Sequence, residues 1–455
     1  MNLLILSCEE EKRRNNTNMT DIINYILGFL SGEQVSTEII EQIGYTSNPA
    51  EFQNYKLVII PSPFFEKEIY GTESSLPLLP LQIWEETPLL FGQPETEKIG
   101  DTIVLRADLV ASTYFLISRY EEMVRRDVRD IHGRFPGKES LPYRAGFIDS
   151  PLVEEYGKIL RTQLREAGFE VSEPPKIIKK VYLTHDLDQL AHYRNIRGFL
   201  GGLLRGISRP KEGNRAIRSF WGGLSNDPWY TFPWLFNLDN KAQKDLTAKR
   251  CESILFIRAG GGIGKEDQPM MLFHTPDFQT LIKLCHEKKI VLGLHASYEA
   301  GINPKRITDE RKHLDRISKK KTLYNRHHYL GTREPEDMQA LIDAKITDDF
   351  TLGYADVAGF RLGSCRPVKW INPVTQKLTS LTLHPLTIMD SSLSDKRYMY
   401  LNAHEAYEYC IQLINVVESW NGELVMLWHN TSVEKEPKSY HRDLYEKIIE
   451  YLKTK

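Results

Sequence analysis

Val181-Tyr182-Leu183-Thr184, running straight into His185-Asp186-Leu187-Asp188, is an apolar, β-prone run that empties into two carboxylates. The same form recurs five more times. Ile254-Leu255-Phe256-Ile257 ends at Arg258, and Ile290-Val291-Leu292-Gly293-Leu294 ends at His295. Phe350-Thr351-Leu352-Gly353-Tyr354 precedes Asp356 and Arg361, Leu381 to Ile388 leads to Met389-Asp390, and Leu424 to Trp428 ends at His429-Asn430. Core strands have no use for charge, whereas parallel strands interleaved with helices bring their C-terminal ends to one face, where α/β sites are built. The repetition predicts a single site assembled from many strand ends.

The segments between these runs read as helices. Thr275-Pro276-Asp277, followed by Phe278, Leu281, Ile282 and Cys285, has a cap residue, a proline at the first helical position and apolar residues at helical spacing. Glu405 to Trp420 carries a broad apolar face and stops at Asn421-Gly422, before the Leu424 run. Alternating units of this length predict a parallel sheet or barrel.

A chain of 455 residues exceeds one ordinary domain. The reading is a smaller α/β domain over 1–172 and a β/α barrel over 176–455, parted at the double proline of Val171 to Lys176. In the first domain, Asn2 to Ser7 and Tyr55 to Ile60 read as strands, and Asp21 to Leu30 and Asp108 to Arg125 as helices. With 59 basic against 61 acidic residues, nothing pulls the whole chain toward nucleic acid, so none is expected as a partner. The five cysteines are scattered and hold no CxxC pair, which speaks against a disulfide framework or a zinc-cysteine site. Leu3 to Ser7 is too short an apolar stretch for a signal segment, and a cytoplasmic location is the expectation.

One charged region stands apart. The insertion 193–250 opens with Arg194, Arg197, Arg205, Arg209, Lys211, Arg215 and Arg218 against a lone Glu212, interleaved with Leu200, Leu203, Leu204, Ile207, Phe220 and Trp221. Read blandly it is a solvated helical excursion. Read sharply it is a lid or platform near the site mouth for an anionic or lipid-linked substrate, or a peripheral contact with a membrane.

Asp186 and Asp188, one residue apart after a strand, suit a divalent metal, with one carboxylate as ligand and the other left as general base. The competing reading makes Asp188 the cap of a helix opening at Gln189. His295 supplies an imidazole at a strand end. Their weight comes from occurring together with Arg361, Asp390 and His429.

The series Thr184 to Asp188, Leu294-His295, Gly359-Phe360-Arg361, Asp390 and Leu427-Trp428-His429 resembles the motif order of the NodB-type polysaccharide deacetylases, the family 4 carbohydrate esterases. Leu116 to Glu122, Gly133-Arg134-Phe135 and Glu139-Ser140 are similar to an uncharacterised domain that precedes this module in Bacteroidetes proteins. The resemblance implies a distorted (β/α)7 barrel and a metal-dependent hydrolase, with zinc as the expected ion, that removes an N- or O-acetyl group from a sugar or glycan intermediate. It makes Asp186 the base, Asp188 and His295 metal ligands, Arg361 the arginine holding the base, Asp390 the acid orienting the catalytic histidine, and His429 that histidine. The family's second metal histidine, four residues after the first, is Glu299 here, so the third ligand is expected from His328 or Glu299, with His328 preferred over its neighbour His327. Implied partners are a glycan or amino-sugar substrate, nucleotide- or lipid-linked in a cytoplasmic setting. The alternative is a catalytically impaired, glycan-binding or assembly protein.

Overall fold

The computed structural model describes residues 2–247, 250–435 and 439–455, with side chains from residue 17 onward. It divides into two compact units. One comprises residues 1–176, 333–338 and 360–385, and the other 177–332, 339–359 and 386–455.

In the first unit, the strands Ile43–Tyr45, Leu57–Ile59 and Thr102–Ala107 pair in parallel, and Gly92–Ile99 adds an antiparallel edge. The Tyr55 run is a strand at Leu57–Ile59, but the expected strand over Asn2 to Ser7 is instead the start of a helix, Asn2–Ser31. The Leu3 to Ile5 run is followed by helix-favouring Glu, Lys and Arg, and no proline occurs before Pro49. The helix expected over Asp108 to Arg125 is broken in two, Leu109–Ile117 and Tyr120–Val124, by a left-handed Arg119. That backbone places the Arg119 guanidinium against Glu122, with Nε donating over 3.0 Å.

Two segments that follow the boundary in sequence join the first unit through ion pairs, buried ones in the case of 360–385. Arg361 donates to Glu122 from Nε over 2.9 Å and from Nη2 over 2.8 Å, and Arg366 Nε donates to Glu154 over 3.0 Å. Glu334 is held by Arg126 and Arg129. The expected Leu381 to Ile388 strand is thereby split. Lys377–Leu383 forms a hairpin with Val368–Asn372, and a separate strand begins at Leu386, after Pro385, which has no N–H for a ladder.

Among the described residues the second unit holds seven strands: β1 (Lys180–Leu187), β2 (Cys251–Ile257), β3 (Val291–Ala296), β4 (Tyr324–His327), β5 (Asp348–Asp349), β6 (Leu386–Met389) and β7 (Glu423–Leu427). All are parallel, in the order β5-β4-β3-β2-β1-β7-β6. The two edges approach each other where Leu386 N–H donates to the carbonyl of Leu352 over 3.1 Å, just past the end of β5. The sheet therefore curls into an incomplete barrel. Its inside is filled by Tyr182, Ile254, Phe256, Leu330, Phe350, Leu386, Met389, Val425 and Leu427. β5 is only two residues long because the Asp349 carboxylate accepts the Thr351 N–H and hydroxyl, competing with the ladder. The expected helices appear at Pro276–Glu287, capped by Thr275, and at Ala403–Ser419, opened by a reciprocal Asn402/Glu405 capping box.

Candidate active site

Strand alternation aims the first carboxylates. On β1, Thr184 and Asp186 share a face, and Asp188 extends the series by two. His185 points the other way, into a buried network in which Nδ1 lies 2.8 Å from the Trp428 carbonyl and Nε2 3.0 Å from Asp239. No helix opens at Gln189, so Asp188 caps nothing there.

Two imidazoles converge on Asp188. His295 Nε2, from β3, and His328 Nε2, from the turn after β4, each stand 3.3 Å from Asp188 Oδ1. One ligand atom from each of the three residues fits within 4.8 Å of the others. Ligand atoms at about 2.0–2.1 Å from a tetrahedral ion would stand about 3.3 Å apart, the separation seen on both sides of Asp188. The donor chemistry agrees. His295 Nδ1 lies 2.9 Å from the Arg326 carbonyl, which only accepts, so Nδ1 carries a proton and Nε2 is the ring atom turned toward Asp188. Asp188 Oδ1 and His295 Nε2 are both buried without a hydrogen-bond partner. A divalent cation held by the three donors would satisfy both.

His328 is held from behind. Its Nδ1 is 3.6 Å from Asp267 and 3.4 Å from Arg258 Nη1, and the chain leaves it through two left-handed residues, Tyr329 and Leu330. Burial lowers its affinity for a proton, but Asp188 and Asp267 outweigh this and raise it. Burial likewise opposes charge on Asp188, yet the two histidines hold its carboxyl well below the usual range. Glu299, the other possible third ligand, lies in the short helix Tyr298–Ile302, and its carboxylate is not among the three grouped donors. His327 alternates to the opposite face, where Asn325 donates to its Nδ1 over 3.0 Å.

Asp186 lies beside this group, with Oδ2 3.7 Å from His295 Nε2. The guanidinium that holds it belongs to Arg326. Arg326 Nη1 donates to Asp186 Oδ1 over 3.1 Å and to Thr184 Oγ1 over 2.6 Å, and Nε donates to the Phe350 carbonyl. Its cation lies 4.6 Å above the Phe256 ring. That ring needs a glycine opposite, because a Cβ on Gly293 would come within 2.5 Å of it. Arg361, given this role by the resemblance, sits in the first unit and donates to Glu122. The guanidinium beside Asp186 is thus that of a different arginine, one that shares the His328 face of its strand.

His429 follows β7. Asp390, at the end of β6, accepts both its backbone N–H and the hydrogen on Nδ1, each over 2.8 Å, while Nε2 faces Asp188 Oδ2 at 3.8 Å. Burial pushes this imidazole's pKa down, but Asp390, then Asp188 and Asp186, raise it to about 10. Asp390 is correspondingly lowered to about 2, its burial outweighed by His429. Arg258 completes the rim, donating to the carbonyls of Asp188 and Pro269. Arg326 and Asp267 are the neighbours of this group that the sequence reading did not single out.

Residues 13–168 match a family of unknown function, DUF7033. No curated protein matches the chain. A crystal structure from Mycobacterium smegmatis described as a "putative polysaccharide deacetylase" aligns over 62% of this chain and 86% of that one, at 14% identity and a TM-score of 0.39. A likeness at that level assigns no activity to this chain.

Proposed function

We propose that the chain is a metal-dependent hydrolase that removes an acetyl group from an amino sugar or glycan intermediate. The observation that carries this reading is the convergence of His295 and His328 on Asp188, with a second carboxylate on one side and a carboxylate-oriented histidine on the other. Asp188, His295 and His328 are the residues that would hold the cation, zinc by preference for this donor set. When bound, such an ion polarises an acyl carbonyl and acidifies water.

The chain's own residues divide the proton work. Asp186, fixed by Arg326, is the acceptor for the proton of the attacking water. His429 is the donor. Its Nδ1 is committed to Asp390, so the proton it gives to the departing amine leaves from Nε2, the nitrogen facing Asp188. Water adds to the carbonyl carbon, the C–N bond breaks, and the products are acetate and a free amine. A cytoplasmic setting would make the sugar nucleotide- or lipid-linked.

The test is acetate release from N-acetylated sugars and oligosaccharides, with bound metal measured on the same preparations. Asp186→Asn should retain the metal and lose about 10²- to 10⁴-fold in turnover, since it removes the acceptor without changing volume. His429→Ala should fall similarly. Unchanged acetate release in both variants would place the chemistry elsewhere. Metal-replete protein that binds glycan and releases no acetate would establish the impaired, glycan-binding alternative.

A further inference from the structure

The basic insertion is a helical hairpin whose large apolar side chains face outward. Helices Ile196–Ser208 and Pro210–Gly222 meet through their smallest residues. A Cβ on Gly202 would stand 2.5 Å from the Ala216 Cβ, and one on Gly206 would stand 2.7 Å from the Gly213 Cα. Side chains two positions away point to the opposite face of the helix. Ile196, Leu200, Leu204 and Ile207 therefore form one solvent-facing stripe, Leu204 being 69% and Ile207 83% exposed. The second helix adds Ile217 and Trp221, the latter 76% exposed. A hairpin folding only for itself would bury these groups.

Charge identifies what covers them. Residues 196–222 hold six basic side chains and one acid, Glu212, which is engaged by the Tyr193 hydroxyl. Arg197, Arg209, Lys211 and Arg218 are exposed, and among the described residues none has an ion-pair partner. The hairpin's base is fixed. Asp227 accepts the backbone N–H groups of His192 and Tyr193, and Arg194 clamps Asp277 and the carbonyls of Ser219 and Phe220. Among the described residues no helix is long and apolar enough to cross a membrane. An aliphatic stripe with one tryptophan, flanked by unpaired cations on short helices, is the composition of an element that lies in the plane of an anionic bilayer surface. A nucleic-acid surface would instead interleave its cations with stacking aromatics.

We infer that the hairpin 196–222 docks the protein on an anionic lipid surface. This does not depend on the hydrolase reading, because the argument uses no residue of the active site. The test is flotation of the full chain with phosphatidylcholine vesicles, with and without phosphatidylglycerol. Binding should require the anionic lipid and weaken at high salt. Arg209→Glu with Arg218→Glu should cut partitioning by at least about five-fold per residue. Leu204→Ser with Ile207→Ser should cut it comparably, and both pairs, being on the surface, should leave the melting temperature unchanged. Asp186→Asn should bind vesicles like the unaltered protein. Absence of binding, equal binding to both vesicle types, or indifference to both variant pairs would overturn the inference. Self-association abolished by the Leu204/Ile207 pair, without lipid binding, would assign the surface to a second copy instead.

Discussion

Arg326 shows what one residue does when its surroundings leave it no alternative. It is fully buried, spends Nη1 on Thr184 and Asp186, and lies over Phe256. Arg326→Met keeps the packing volume but strands the Asp186 charge, and breaking a buried pair from one side typically costs about 3–5 kcal/mol. We expect a matching loss in denaturant stability together with a fall in turnover, whereas Arg361→Met should leave the cation content unaltered. Metal analysis beside a urea titration separates the two. His328 was legible only through the resemblance, as one of two histidines downstream of the position where Glu299 replaces the family's second metal histidine. Arg326 was hidden in plain view two residues upstream. Period-2 alternation puts it on the face of His328 and takes His327 off that face, a signal that needs the strand register before it can be used.

Elements show the same division between patterned and unpatterned information. The six apolar runs predicted a parallel sheet or barrel because each is a local property of the chain; four are strands of the second unit, the Leu381 to Ile388 run is divided between two strands, and Phe350 to Tyr354 lies just past the two-residue β5. The Arg361 segment escaped that reading because its place is set by side chains remote in sequence, chiefly Glu122 across 239 positions. Glu122 links the two readings. Burial alone would raise its pKa, but Arg119 and Arg361 outweigh it and lower the group to about 2. A depressed folded-state pKa stabilises above the unfolded value, near 4.5, and that contribution is lost as pH falls from there toward 2. The shift corresponds to about 3 kcal/mol at neutral pH. Glu122→Gln should therefore lower stability at pH 7 and flatten its dependence between pH 4.5 and 2. Chemical denaturation across that range checks the slope, and an undiminished slope would deny Glu122 its role in pinning segment 360–385.

At the scale of the whole molecule, the candidate ligands tie distant parts of one sheet together. Asp188 leaves β1, His295 ends β3 and His328 follows β4, so an ion shared by the three cross-links strands that β2 and β3 otherwise separate. In the folded barrel the three donors are already gathered, while in the unfolded chain they are 140 residues apart from first to last. A cation that binds the folded state alone stabilises it by mass action, about 2.7 kcal/mol at a free concentration one hundred times Kd. Protein stripped with a chelator should therefore melt below the zinc-reloaded protein, and the gap should widen with zinc concentration. Substitution tells the two possible third ligands apart without any assay of activity. His328→Ala should abolish most of the zinc-dependent rise, because it leaves Asp188 and His295 as a two-donor remnant. Glu299→Ala should preserve the rise, since its carboxylate stands outside the three-donor group. The reverse pattern would transfer the ligand to Glu299. A melting temperature indifferent to zinc in the unaltered protein would remove the cation from the site, and with it the hydrolase reading built on Asp188.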